Sequence, residues 1–130
     1  MTKALHSILM VEDEPDIQTV ARLSLESIGG FSVEVCSSGQ EAIDRAPGIK
    51  PDLILLDVMM PGMDGPTTLT ELKKIPELSD TPVVFMTAKV QPQEIQLYKE
   101  YGAIDVIPKP FDPMSLPDNL KSIWERHHNC

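Results

Sequence analysis

Along the chain, short unbroken apolar runs alternate with stretches in which apolar residues return every third or fourth position. Five such runs occur: SILMV at about 7–11, FSVEV at 31–35, DLILL at 52–56, PVVFM at 82–86 and AIDVI at 103–107. Runs of this length, rich in branched aliphatics, read as strands, and a nearly continuous one such as DLILL reads as a strand buried on both faces. Each run is followed by a helical pattern. In the clearest, Ile17, Val20, Ala21, Ser24, Leu25 and Ile28 fall at i, i+3, i+4, i+7, i+8 and i+11, with Pro15 before them and Gly29-Gly30 after. Shorter helices are predicted at about 39–46, 66–75, 92–101 and 113–127, stopped by Pro47, Pro76, Gly102 or the end of the sequence. Pro117 removes a hydrogen bond if it lies inside the last helix, so that helix begins near Ser115 or bends early. Strand alternating with helix over residues 1–130, with a core from about 7 to 127, predicts one doubly wound α/β domain: a parallel sheet with helices on both faces.

Composition narrows the partners. Twenty acidic against eleven basic residues give a net charge of −9, which repels nucleic-acid backbones and anionic lipid, so neither nucleic acid nor membrane is expected as a direct partner. A cation or another protein fits better. The opening MTKALHSILMVEDE has only four apolar residues in a row before its acids, too few for a signal-peptide core or a membrane span, so a cytoplasmic location is expected. Cys36, in a predicted strand, and Cys130 show no ligand or disulfide spacing. His127 and His128 beside Cys130 suggest a soft-metal site only weakly, because a solvated tail explains them as well.

The chemistry lies at the strand ends. In open parallel sheets ligands bind beyond the carboxyl ends of the strands. There the sequence places Glu12, Asp13 and Glu14 after the first strand, Asp57 after the third, Thr87 and Ala88 after the fourth, and Lys109-Pro110 after the fifth. Carboxylates converging on one rim repel one another unless a cation relieves them, and Asp13 and Asp57 with Glu12 nearby form a hard-oxygen site suited to Mg2+. Part of this acidity also serves as charge at the amino end of the first helix. Lys109, restricted by prolines on both sides, supplies a point charge for a phosphate oxygen or for Asp57, and Lys109-Pro110 is a candidate cis bond. Pro108 fits the end of an edge strand. Together these parts describe phosphoryl transfer to a carboxylate: Asp57 as nucleophile, Mg2+ and Lys109 neutralising phosphoryl oxygens, and the Thr87 hydroxyl bonding one of them. An ionised carboxylate needs no general base, which explains why a buried strand ends on an acid and then opens into Pro61, Gly62, Asp64 and Gly65.

On VEDE at 11–14, DLILLDVMMPGMDG at 52–65, VVFMTA at 83–88 and GAIDVIPKPF at 102–111, the sequence resembles the receiver domain of two-component response regulators, from about Ser7 to Trp124. The resemblance implies a flavodoxin-like fold with five strands in the order 2-1-3-4-5. It implies that Asp57 accepts phosphate from a sensor histidine kinase or a phosphotransfer protein. It also implies that Mg2+ is held by Asp13, Asp57 and the backbone carbonyl of Met59, with Glu12 assisting through water, and that Thr87 and Lys109 sense the phosphoryl group. Such a domain acts on a downstream protein target or output domain and catalyses nothing but its own phosphorylation and dephosphorylation. Its output face is expected on the fourth helix, fifth strand and fifth helix, where Tyr98, Tyr101 and Trp124 fall, at least one of them in the core.

Two features depart from the family pattern. Many members carry Phe or Tyr three residues before the lysine, where this sequence has Val106, and the tryptophan that often follows the phosphoacceptor is replaced by Val58. Three other readings compete. An aspartyl-phosphate phosphatase prefers a second acid two residues after the nucleophile, where Met59 stands. A flavin module wants a hydroxyl- and glycine-rich phosphate loop where this chain has EDEP. A degenerate receiver acting only as a docking module is disfavoured because every phosphorylation residue is present.

Overall fold

The computed structural model describes residues 4–128. The sheet is five-stranded and wholly parallel, in the order β2-β1-β3-β4-β5, with β1 Ser7–Val11, β2 Ser32–Cys36, β3 Leu53–Asp57, β4 Val83–Thr87 and β5 Asp105–Pro108. The helices are α1 Pro15–Leu23, α2 Gly39–Ile49, α3 Gly65–Lys73, α4 Pro92–Tyr101 and α5 Leu116–His128.

Side-chain alternation along the strands divides the core in two. Leu9, Val11, Leu56 and Phe85 pack with Ala42, Ala46, Leu69, Leu72 and Tyr98 from α2, α3 and α4. Ile8, Met10, Leu55, Val84 and Met86 pack on the other face with Ala21, Leu120, Ile123 and Trp124 from α1 and α5. Both faces of β3 are therefore covered, and all five of its residues, Asp57 included, are buried. That accounts for the unbroken apolar run, and it places the carboxylate at the end of the central strand, covered on both faces.

Several boundaries differ from the sequence expectation. α2 runs through Pro47 to Ile49, because proline keeps a helical φ and costs one hydrogen bond in a last turn that Lys50 closes in the left-handed conformation (φ 52°), its N–H donating to Ala46 O at 2.9 Å. α5 starts at Leu116, which puts Pro117 in the first turn, where its missing N–H is harmless. α1 passes into a π-helical turn over Ser24–Ile28, marked by the Gly29 N–H to Ser24 O bond at 3.2 Å. This wider turn rotates the chain less per residue, so the predicted apolar stripe loses phase. Ala21, Ser24 and Leu25 are buried, whereas Ile28 at the end of the turn is 49% exposed; Val20, ahead of the turn, is 43% exposed on the α-helical part. Among the described residues, no helix is long and apolar enough to cross a membrane.

Candidate functional site

The rim above the carboxyl ends of β1, β3, β4 and β5 collects the predicted residues. β1 leads straight into Glu12, which is fully buried, its N–H donating to Cys36 O at 3.0 Å. β3 delivers Asp57, only 2% exposed. β5 delivers Lys109, whose side chain spans the two acids: Nζ donates to Glu12 Oε1 at 2.8 Å and to Asp57 Oδ1 at 3.0 Å. The lysine N–H also donates to Thr87 O at 2.9 Å, which ties the two strand ends together, and the Lys109-Pro110 peptide is cis. β5 lies at the edge of the sheet, as the proline at its end requires.

The three acids are not equally satisfied. Glu12 uses both oxygens, Oε1 with Lys109 and Oε2 accepting the Glu14 N–H at 3.1 Å. Asp57 Oδ1 accepts from Lys109 and, at 3.3 Å, from the Met59 N–H. Asp13 Oδ1 is shielded from solvent and has no partner at all. A buried carboxylate oxygen left unpaired is costly unless a cation meets it. One oxygen each from Glu12, Asp13 and Asp57 lie within 4.8 Å of one another, so the donor set suits a small hard cation. Burial pushes the Asp57 carboxyl up to about 6; the Lys109 hydrogen bond opposes this and the Glu12 charge adds to it. Burial pulls the Lys109 ammonium down, but the carboxylates of Glu12 and Asp57 outweigh it and hold the group above its ordinary value.

Thr87 is buried at the end of β4, one residue beyond Met86, the ladder partner of Asp57. Its Oγ1 accepts the Lys89 N–H at 3.1 Å, so the hydroxyl is engaged within its own loop. The Met59 side chain is 63% exposed beside the site. Between α1 and the segment after β5 lies a mostly apolar groove of about 400 Å³, lined by Ile17, Val20, Ala88, Pro110 and Phe111 together with Asp16 and Lys109.

Some positions differ from expectation or were not anticipated. Of the three aromatics assigned to the output face, Tyr98 and Trp124 are core, 6% and 5% exposed, and only Tyr101, at 46%, is surface. Trp124 belongs to the α1–α5 side, because α5 turns its apolar stripe onto that face of the sheet. His127 and His128 are part of α5, with the His128 ring stacked on Trp124 at 3.9 Å, and Cys130 lies outside the described residues. The Glu12–Lys109 pairing joins residues 97 apart, and nothing local announces it. Gly65 was legible only as a turn residue, yet a Cβ there would lie 2.6 Å from Asp57 O and 2.8 Å from Val58 Cα.

Comparison with known proteins agrees with this geometry. The family model described as the response regulator receiver domain matches residues 8–121. Alkaline phosphatase synthesis transcriptional regulatory protein PhoP of Bacillus subtilis is 38% identical over 119 residues, 92% of this chain and 48% of that protein. Transcriptional regulatory protein CpxR of Escherichia coli is 36% identical over 124 residues, 95% of this chain and 51% of that protein. The chain thus spans about half the length of the curated relatives it matches. Among solved structures, chemotaxis protein CheY4 of Vibrio cholerae superposes with a TM-score of 0.85 at 29% identity, over 92% of this chain and 99% of that one. The signal receiver domain of a histidine kinase from Syntrophus aciditrophicus gives 0.79 at 34% identity, over 93% of this chain and 91% of that one. With the family model covering nearly the whole sheet and every rim residue, the chain belongs to the response regulator receiver domains of two-component signalling.

Proposed function

We propose that Asp57 is the phosphoacceptor of this receiver domain and takes its phosphoryl group from a phosphohistidine on a sensor histidine kinase or phosphotransfer protein. One Asp57 carboxylate oxygen attacks phosphorus in line, the P–N bond to imidazole breaks as the P–O bond forms, and the released ring recovers a proton from solvent. Lys109 and the Met59 N–H both bind Oδ1, so the reacting oxygen is Oδ2. The upward shift of the Asp57 carboxyl, to about 6, makes the carboxylate a more basic nucleophile while leaving most of it ionised near neutral pH.

A divalent ion fits the donor set, and the observation that carries the whole reading is the unpaired, buried Asp13 Oδ1 clustered with an Asp57 already paired to Lys109. Asp13, Asp57 and the Met59 backbone carbonyl would hold Mg2+ directly. Glu12, with both oxygens committed, would reach it through water. When bound, the ion offsets negative charge that develops on the phosphoryl oxygens. Lys109 then stabilises the acyl phosphate as a fixed positive charge, and the Thr87 hydroxyl, which accepts the Lys89 N–H, keeps its own O–H to donate to a phosphoryl oxygen.

The donor enters over the apolar groove beside Lys109, which is open, uncharged along most of its lining and adjacent to the reacting carboxylate. The whole of 1–130 acts as one receiver unit, with no catalysis beyond its own phosphorylation and dephosphorylation, and it signals to a downstream protein target or output domain. The test is incubation with acetyl phosphate, with and without Mg2+, followed by intact mass. The expected result is one phosphoryl group gained only with Mg2+ and lost in hydroxylamine. An Asp57→Asn protein that gains the same mass contradicts the assignment, and a wild type that never gains it favours a docking module instead.

A further inference from the structure

Asp13 must aim its unpaired oxygen into the acid cluster, yet no hydrogen bond to that oxygen holds it there. What fixes a side chain without such a bond is the backbone it leaves from. The peptide group between Glu12 and Asp13 is planar, so the direction of the Glu12 carbonyl sets the direction of the Asp13 N–Cα bond. That carbonyl accepts a hydrogen bond from Nε2 of Gln18, on the second turn of α1, at 2.5 Å. The same Nε2 donates to Ser37 Oγ at 3.1 Å. On the other side, the Glu12 N–H is held by Cys36 O at 3.0 Å. Gln18 is half-buried and makes both of its side-chain bonds to loops at the carboxyl rim rather than to its own helix.

We infer that Gln18 is a positioning residue for the acidic site: by holding the Glu12–Asp13 peptide plane it orients the Asp13 carboxylate, and through Ser37 it braces that plane against the loop between β2 and α2. The brace is itself anchored, since the Ser37 N–H donates to Glu41 Oε1 at 2.9 Å and Glu41 Oε2 pairs with Arg45 at 2.9 Å. The β2–α2 loop, which brings no chemistry of its own to the rim, thereby acquires a part in it. The inference rests on reading the acid cluster as a Mg2+ site.

The experiment titrates metal-free protein with Mg2+ alone by calorimetry, comparing wild type with Gln18→Met, which keeps the length of the side chain and removes the donor. Loss of an outer partner of a metal ligand typically weakens affinity by about 10-fold or more, and a loss of that size is expected here. Ser37→Ala, which leaves the Glu12 bond in place, is expected to weaken binding less. Amide exchange of the metal-free proteins gives a readout independent of the ion. In Gln18→Met the Glu14 N–H, bonded to Glu12 Oε2, should exchange faster while the amides of residues 21–23 do not change. Wild type binding Mg2+ with Gln18→Met binding equally well overturns the positioning role. So does faster exchange along the whole of α1, which marks a purely structural contact. Wild type failing to bind Mg2+ overturns instead the reading of the cluster as a metal site, and the Glu14 amide then still decides whether Gln18 orders this loop.

Discussion

Asp57, the proposed phosphoacceptor, sits where it is at a cost to stability. Its carboxyl, pushed up to about 6 mainly by burial, binds a proton more tightly in the folded chain than in the unfolded one. Folding is therefore favoured while the group stays protonated, and metal-free stability should fall as pH rises from about 4 to about 6. Two units at about 1.4 kcal/mol each make the loss on the order of 3 kcal/mol. Asp57→Asn removes the titrating group, so its denaturation midpoint should vary less across this window and should match or exceed that of wild type above about pH 6.5. Parallel pH profiles for the two proteins, measured by urea denaturation without metal, would contradict this. The acids and the lysine were legible in the sequence because each follows an apolar run, and strand ends in a parallel sheet share one rim. The division of labour among them was not legible, since whether Glu12 or Asp13 keeps an open oxygen depends on which one Lys109 reaches across the fold.

At the scale of elements, β3 and the start of α3 are fitted to each other through Gly65. Its N–H donates to Val58 O at 2.9 Å, and there is no room for a Cβ against the Asp57 and Val58 backbone. Gly65→Ala should destabilise the protein by about 1–3 kcal/mol, the usual cost of overpacking, and should slow phosphoryl uptake because the backbone that must move carries Asp57. A variant as stable and as reactive as wild type would show that the loop yields freely.

The connection from β4 to α4 is the other adjustable element. Val106 is half-buried against a cluster that includes Phe85 and Tyr98, and it has no ring to swing inward. The Thr87 Oγ1 accepts the Lys89 N–H, so any movement of that hydroxyl toward a phosphoryl group on Asp57 carries the loop with it, and the change is expected in the loop itself, as a shift between two loop populations. Hydrogen exchange with beryllofluoride and Mg2+ should alter protection across 87–97 in wild type and equally in Val106→Ala. No change in wild type, or a response abolished by Val106→Ala, would place the switch elsewhere. Strands and the α4 boundaries followed from the apolar pattern and from Gly102 as a stop. The π-helical turn after α1 did not, because an extra residue per turn leaves no local signature in the sequence.

For the molecule as a whole, the alternation of runs sufficed for a doubly wound sheet, since parallel strands joined by helices admit few arrangements. The strand order itself rests on the family motifs and agrees with the structure. Partners are another matter. The two curated relatives named above are about twice as long as the stretch this chain matches, so their targets do not transfer to it. What the chain does hold is a rim that gathers Glu12, Asp13, Asp57, Thr87 and Lys109, and the decisive question for the proposed function is where a phosphoryl group goes. Borohydride reduces an aspartyl phosphate to homoserine but leaves a free carboxylate untouched. Peptide mapping of protein treated with acetyl phosphate and then borohydride should find homoserine at position 57, in the presence of Mg2+ only. Protein that has gained a phosphoryl group yet yields an intact Asp57, or homoserine at another aspartate, would contradict the account.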